Sequence, residues 1–257
     1  MKFNAFLLLV VSSLLFCNNP TNPTLHPTTD TTHNMTDTTM TDVENNVYQT
    51  MRIGNQMWTE NLRTTKYNDG TAIPHLIDSA SWDSSHYIGI WSPVPAYCYY
   101  GNTTNIDSIK KYGALYTWDV IVPSNPKKIA PTGWHVPSIA EWDTLMLYLV
   151  ANGSNWNGST NQYNKIAKAL AAKTDWVIYS VKGTIGCDLT KNNSSNFTAL
   201  PSGFRGYNGG FSSQGTMTGW WTPDTTCGAF QLYNNFDDLI FSEFWKTTAF
   251  SIRLVKD

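Results

Sequence analysis

Charge is scarce in this chain. Only 14% of its 257 residues are Asp, Glu, Lys or Arg, against about 25% in ordinary globular proteins. The formal net charge is −2, and no Lys/Arg cluster alternates with aromatics. Both facts argue against nucleic acid as a partner. Histidine is equally sparse, at five residues, and no pair has metal-ligand spacing. His26 and His33 fall in a Thr-rich stretch and read as spacer, while His75 and His86 lie far upstream of His135. Four cysteines are too few for a disulfide scaffold. Only one long apolar run exists, so the expectation is a soluble body, tethered to a membrane at most.

That run opens the chain as M-K-F-N-A-F-L-L-L-V-V-S-S-L-L-F-C and stops at Cys17. Its length suits an export signal rather than a membrane span. Two readings share it. In one, residues 1–17 are a lipoprotein signal and Cys17 is lipidated, although Phe16 stands where a small residue is usual. In the other, an ordinary secretory signal is cleaved nearby, after Ser12 or Ser13. Both export the protein to the cell envelope, as an outer-membrane or surface lipoprotein or as a secreted or periplasmic one. Residues 18–45 are rich in Thr, Asn and Pro and too polar to pack, so they read as a disordered tether. Residues 46–257 are long enough for one domain with a substantial core.

The string G-W-H-V-P-S-I-A-E-W at 133–142 gathers His, Ser and Glu within seven residues. It contains Ser138-x-x-Glu141, a capping box: Ser138 accepts from the Glu141 amide, and Glu141 reaches back to the Ser138 amide. Trp142, Leu145, Met146 and Leu149 then share one helical face, and Asn152-Gly153 ends it. This reads as a helix start over 139–151 rather than a catalytic triad. Earlier, Gly54-Asn55 between alternating residues predicts a hairpin over 47–59. A second helix is expected over 162–173, and strands over 219–222, 229–233, 239–245 and 249–255.

Several strings recur together: Ile53-Gly54-Asn55-Gln56-x-Trp58-x-Glu60-Asn61-Leu62, Ala96-Tyr97-Cys98-x-Tyr100, Tyr112-Gly113-x-Leu115-Tyr116-x-Trp118, Gly133-Trp134-His135, Phe197-x-Ala199-Leu200-Pro201-x-Gly203-x-Arg205 and Ser251-Ile252-Arg253. In this order they resemble the Fibrobacter succinogenes major paralogous domain, a family of exported bacterial proteins without an agreed activity. The resemblance implies an α+β domain with a C-type lectin-like fold of the sulfatase-modifying-factor type, two early helices preceding a late antiparallel sheet. Family members usually carry cysteines where this chain has Ala130 and Leu254, which suggests that packing in a buried spot replaces a disulfide. Cys98, Cys187 and Cys227 remain, with Cys187–Cys227 the preferred bridge.

Lectin-like folds place their binding surface on late loops, here 202–246. Trp220, Trp221, Tyr233 and Trp245 are the candidate stacking residues, and Asn234, Asp237 and Asp238 the candidate hydroxyl binders. Paired tryptophans in a late strand equally suit a core. Asp237-Asp238 and Thr222-Pro223-Asp224 offer oxygens for Ca²⁺, but the expected lectin triplets are absent, so a calcium lectin is disfavoured and no metal or cofactor is assigned. The expectation is a non-catalytic binding module for a glycan or an envelope or host protein. The alternatives are a structural or adhesin role, and an oxidase related to formylglycine-generating enzymes, which would need Cys187 and Cys227 converging as copper-binding thiols.

Overall fold

The computed structural model describes residues 38–82, 95–161 and 164–257. Residues 1–37, with Cys17 and most of the expected tether, lie outside it, as do residues 162–163 at the start of the expected second helix.

The hairpin forms as expected. Strand β1 (Thr39–Thr41) pairs with β2 (Val47–Ile53), which turns through Gly54-Asn55 into β3 (Gln56–Thr59) with Ile53 opposite Gln56. Gly54 has φ +59°, and a Cβ there would sit 2.9 Å from the Tyr148 ring, so glycine both makes the turn and admits the neighbouring helix. β1 lies inside the stretch read as tether, and the ordered domain therefore starts by residue 38 rather than at 46. Asp42 is the cause: its carboxylate accepts from the amides of Glu44 and Asn46 and from Tyr48 Oη, which ties a polar segment to the sheet.

Helix α1 (Ile106–Tyr112) was not anticipated. It is capped by Asn105, which accepts from the Asp107 and Ser108 amides, but it buries no residue, so it leaves no apolar stripe to read. Helix α2 (Ile139–Ala151) carries the full capping box on Ser138 and Glu141 and buries Trp142, Leu145 and Leu149. The expected helix over 162–173 is corrected to one turn, α3 (Ala167–Leu170). All four of its residues are buried, Lys168 included. An amphipathic helix needs a wet face, and this segment has none to offer.

The strands form three sheets in which every named pairing is antiparallel. The first has the order β1-β2-β3-β13-β6, closing on β6 (Trp134–His135) and β13 (Val255–Lys256). The second joins β9 (Met217–Trp221), β10 (Gly228–Tyr233) and β11 (Ile240–Glu243). The third has the order β4-β5-β12-β7-β8, from β4 (Tyr97–Cys98), β5 (Leu115–Thr117), β7 (Phe204–Arg205), β8 (Phe211–Ser212) and β12 (Ala249–Phe250). The result is a β-rich domain with few helices, more sheet than the α+β expectation allowed. The late antiparallel sheet is present as β9–β11. The segment expected as one strand over 249–255 is two short strands serving different sheets.

The middle sheet is covered on both faces. Trp220, Phe230 and Leu232 join one apolar cluster with Trp58, Trp142 and Phe197. Trp221 and Ala229 join another with Tyr116, Phe250 and Ile252. Successive strand residues point to opposite faces, so Trp220 and Trp221 serve the two cores separately. Among the described residues the three clusters run from Met40 to Val255, and the described residues from 38 onward lie in one compact unit. Ala130 and Leu254 pack into the same cluster, so apolar contact occupies the two positions where the resemblance implied cysteines in other members.

Candidate functional site

Most of the residues that carry the family resemblance are scaffold. Asn61 is a four-way junction: Nδ2 donates to Tyr112 O (3.0 Å) and Ser251 Oγ (3.3 Å), and Oδ1 accepts from Trp220 Nε1 (2.9 Å) and Arg253 Nε (3.0 Å). Arg253 is buried over the Phe197 ring and donates onward to Phe197 O and Thr198 O. Arg205, also buried, lies against the Trp82 and Phe211 rings. It donates to Gly209 O, Leu76 O and Ile77 O. Backbone carbonyls and aromatic faces thus hold both guanidinium groups, and each staples loops distant in sequence. Gly113, at φ +78°, passes so close to Leu62 O that a Cβ would lie 2.6 Å from it.

The expected late-loop site does not assemble. Trp220 and Trp221 are both 0% exposed, and their indole N–H groups are taken by Asn61 and by Tyr116 O. They are core residues and offer no stacking surface. Tyr233 is half-buried, with its ring against Phe236 and its hydroxyl on Gln231. Asn234 is turned inward and donates to Val177 O. Asp237 accepts from Trp156 Nε1 (2.8 Å) and Lys165 Nζ (3.1 Å). Burial raises the pKa of the neighbouring Asp238 carboxyl. Trp245 alone is largely open, 58% exposed, with its ring 6.2 Å from that of Tyr207, itself 45% exposed. Sequence reading missed Tyr207, which the short β7–β8 turn lifts beside Trp245.

The preferred disulfide is also corrected. Cys98, Cys187 and Cys227 are all free thiols. Cys227 lies at the β9–β10 turn against the cluster of Trp221, whereas Cys187 lines a cavity beside Lys168. Among the described residues the two thiols that the oxidase reading would bring together thus sit in different surroundings. Among the described residues no three His, Cys, Asp or Glu gather as a metal-binding group. Burial pushes the Cys98 thiol up to about 12, too high for reactivity at neutral pH.

A groove of about 860 Å³ lies between residues 120–136 and the late loop 223–225. Trp134, His135, Asp224, Thr225, Lys127 and Asp257 line it, with Pro123, Pro131 and Pro223 as apolar walls. His135 is fixed at both ring nitrogens, Nε2 to Glu141 Oε1 at 2.6 Å and Nδ1 to Asp257 Oδ1 at 2.5 Å. Burial acts against its charged form, but the bonds to Asp257 and Glu141 outweigh it and raise the pKa above the usual histidine value. Burial would lift Glu141, yet bonds from Ser138 and His135 hold it below the carboxylate range. Ser138 Oγ donates to Glu141 Oε2, not to His135. The three residues therefore make a braced cap, in which His135 does not activate Ser138. Asp224 receives the Ile139 amide at 2.9 Å, which ties the late loop to the first turn of α2. Sequence reading missed this place: it took Gly-Trp-His as the approach to a helix and Thr-Pro-Asp as a disfavoured calcium motif. It did not reveal Asp257, which arrives from 122 residues away.

Fold and groove together define an antiparallel β-rich domain, stapled by buried arginines, with a groove of mixed polar and apolar lining where Asp257 meets the start of α2. The model of the Fibrobacter succinogenes major domain matches residues 51–256. The chain belongs to that family. No curated protein and no solved structure matches it. No described helix is long and apolar enough to cross a membrane.

Proposed function

We propose that this is an exported, envelope-tethered and non-catalytic binding module, with a glycan as the ligand of the groove beside His135. The observation that carries the reading is the composition of that groove. An indole, Trp134, stands among directional polar groups on His135, Asp224, Thr225 and Asp257 within about 860 Å³, a size suited to a short saccharide. Aromatic faces take sugar C–H surfaces while the carboxylates and the threonine hydroxyl take sugar hydroxyls. The braced His135 supports binding over hydrolysis, since its ring nitrogens are both engaged and the nearby serine faces Glu141. The late loop 223–225 supplies one wall, in keeping with the lectin-like relationship that the motifs imply. Export and a lipid anchor at Cys17 belong to the same reading and rest on the sequence of residues 1–17.

The test is a thermal-shift screen of residues 38–257 against soluble glycans and cell-wall fragments, with and without calcium. A ligand at about a hundred times its Kd adds roughly 2.7 kcal/mol, or about 5–10 °C for a domain of this size. The expected shift is glycan-specific, calcium-independent and lost in Trp134→Ala, while Trp245→Ala retains it. Loss in Trp245→Ala alone would move the site to the Tyr207–Trp245 pair. No shift with any glycan would favour a protein partner or a structural envelope role.

A further inference from the structure

A second cavity, of about 300 Å³, opens where residues 153–156, 182–188 and 191–194 meet. Three lysines and one aspartate line it, so its wall carries a net positive charge. Lys168 is only 6% exposed. Its Nζ donates to Cys187 O (2.6 Å), Asp188 O (3.1 Å) and Thr184 O (3.3 Å). Carbonyls satisfy its protons without cancelling its charge, and no carboxylate among the described residues forms an ion pair with it. A fixed ammonium in a poorly solvated place favours an anion beside it. Lys182 is likewise without a carboxylate partner, and its Nζ stands 5.8 Å from the centroid of the Trp156 ring. Lys191 pairs with Asp188 at 3.0 Å.

The wall is also built. Asp237 fixes the Trp156 indole N–H at 2.8 Å. Gly183 packs so closely on that ring that a Cβ would fall 2.3 Å from it. Ser154 and Ser194 line the same cavity, and the hydroxyl of neither is used in a hydrogen bond within the described residues. Three ammonium groups against one carboxylate, next to unused serine side chains, suit a ligand that carries both an anion and alcohols. The volume lies at the lower end of the range of about 300–1,000 Å³ for small-molecule sites, enough for one sugar ring.

We propose that this cavity binds an acidic sugar unit of the hexuronate type, its carboxylate meeting Lys182 and Lys191 and its hydroxyls meeting Ser154 and Ser194. The site is separate from the groove beside His135 and does not depend on it. Cys187 lines the cavity and serves as a reporter, with Cys227 on the other cluster as the internal control. The experiment measures alkylation rates at each cysteine of residues 38–257 by peptide mass spectrometry. Glucuronate, glucose and inorganic phosphate are the probes, in low and high salt. Glucuronate is expected to slow alkylation of Cys187 but not of Cys227, with protection fading as salt rises. Lys182→Gln, and independently Lys191→Gln, should each raise the glucuronate concentration giving half-protection, by roughly tenfold for Lys182→Gln. Each ratio is taken within one variant, so a changed basal thiol reactivity does not enter. Equal protection by glucose would overturn the anionic assignment. Equal protection by phosphate would overturn the sugar assignment. Absence of protection by all three would overturn the site.

Discussion

Replacing Asn61 by leucine should be among the most damaging changes this domain can suffer, although it exchanges one side chain for another of similar size. The leucine removes the acceptor of Trp220 Nε1 and Arg253 Nε and the donor to Tyr112 O and Ser251 Oγ. A stranded neutral donor costs about 1–2 kcal/mol and a stranded charged one about 2–3 kcal/mol, with a further ~1 kcal/mol for the lost donations. The sum is about 4–6 kcal/mol. At about 2–4 °C per kcal/mol for a domain of this size, the melting temperature should fall by about 10–20 °C. Asn61→Asp is the matched control, because it keeps both accepting contacts and gives Arg253 a counter-charge, so its cost should stay near 1–2 kcal/mol. Urea unfolding of residues 38–257, followed by tryptophan fluorescence, measures both. Equal losses in the two variants, or a loss below about 2 kcal/mol for leucine, would refute the view that Asn61 holds these partners together.

Other consequences are smaller and equally measurable. Ser138→Ala removes the cap of α2 and should cost about 1 kcal/mol without altering ligand binding, which chemical denaturation and the thermal-shift screen can check together. Trp221→Ala should destabilise by about 3–5 kcal/mol through core loss, whereas Trp245→Ala should stay within about 0.5 kcal/mol. Equal effects would mean that one of these rings is misplaced. The His135 pKa is raised in the folded state, so its contribution is full below the unfolded value near 6.5 and is lost as pH rises through the higher folded value. Given its partial exposure that contribution should be under about 1 kcal/mol. An NMR titration giving a His135 pKa below 6.5 would contradict the bracing by Glu141 and Asp257.

Local features were legible in the sequence because their causes are local. Gly54-Asn55 makes its turn, and Ser138 and Glu141 cap their helix, through contacts within three residues. The tryptophan pair misled because alternation promises one wet residue only if the sheet has a wet face, and β9 is packed on both sides. Lys168 and its neighbours mimicked a helix period because every position there is buried. The motif arginines were visible as letters, but their roles depend on carbonyls up to 129 residues away. For the groove, the sequence showed Gly133-Trp134-His135 only as the approach to a helix and Asp224 only as a calcium oxygen, and it joined neither to a site, because the approach of Asp257 is a product of sheet order, with β13 pairing β6.

Chemical-shift mapping tests the groove assignment most directly: isotope-labelled residues 38–257 are titrated with soluble cell-wall glycan fragments. Perturbations of the amides at 133–136, Asp224, Thr225 and Asp257, saturating together, are the predicted result. Saturable shifts confined to other surfaces, or none with any glycan, would contradict it.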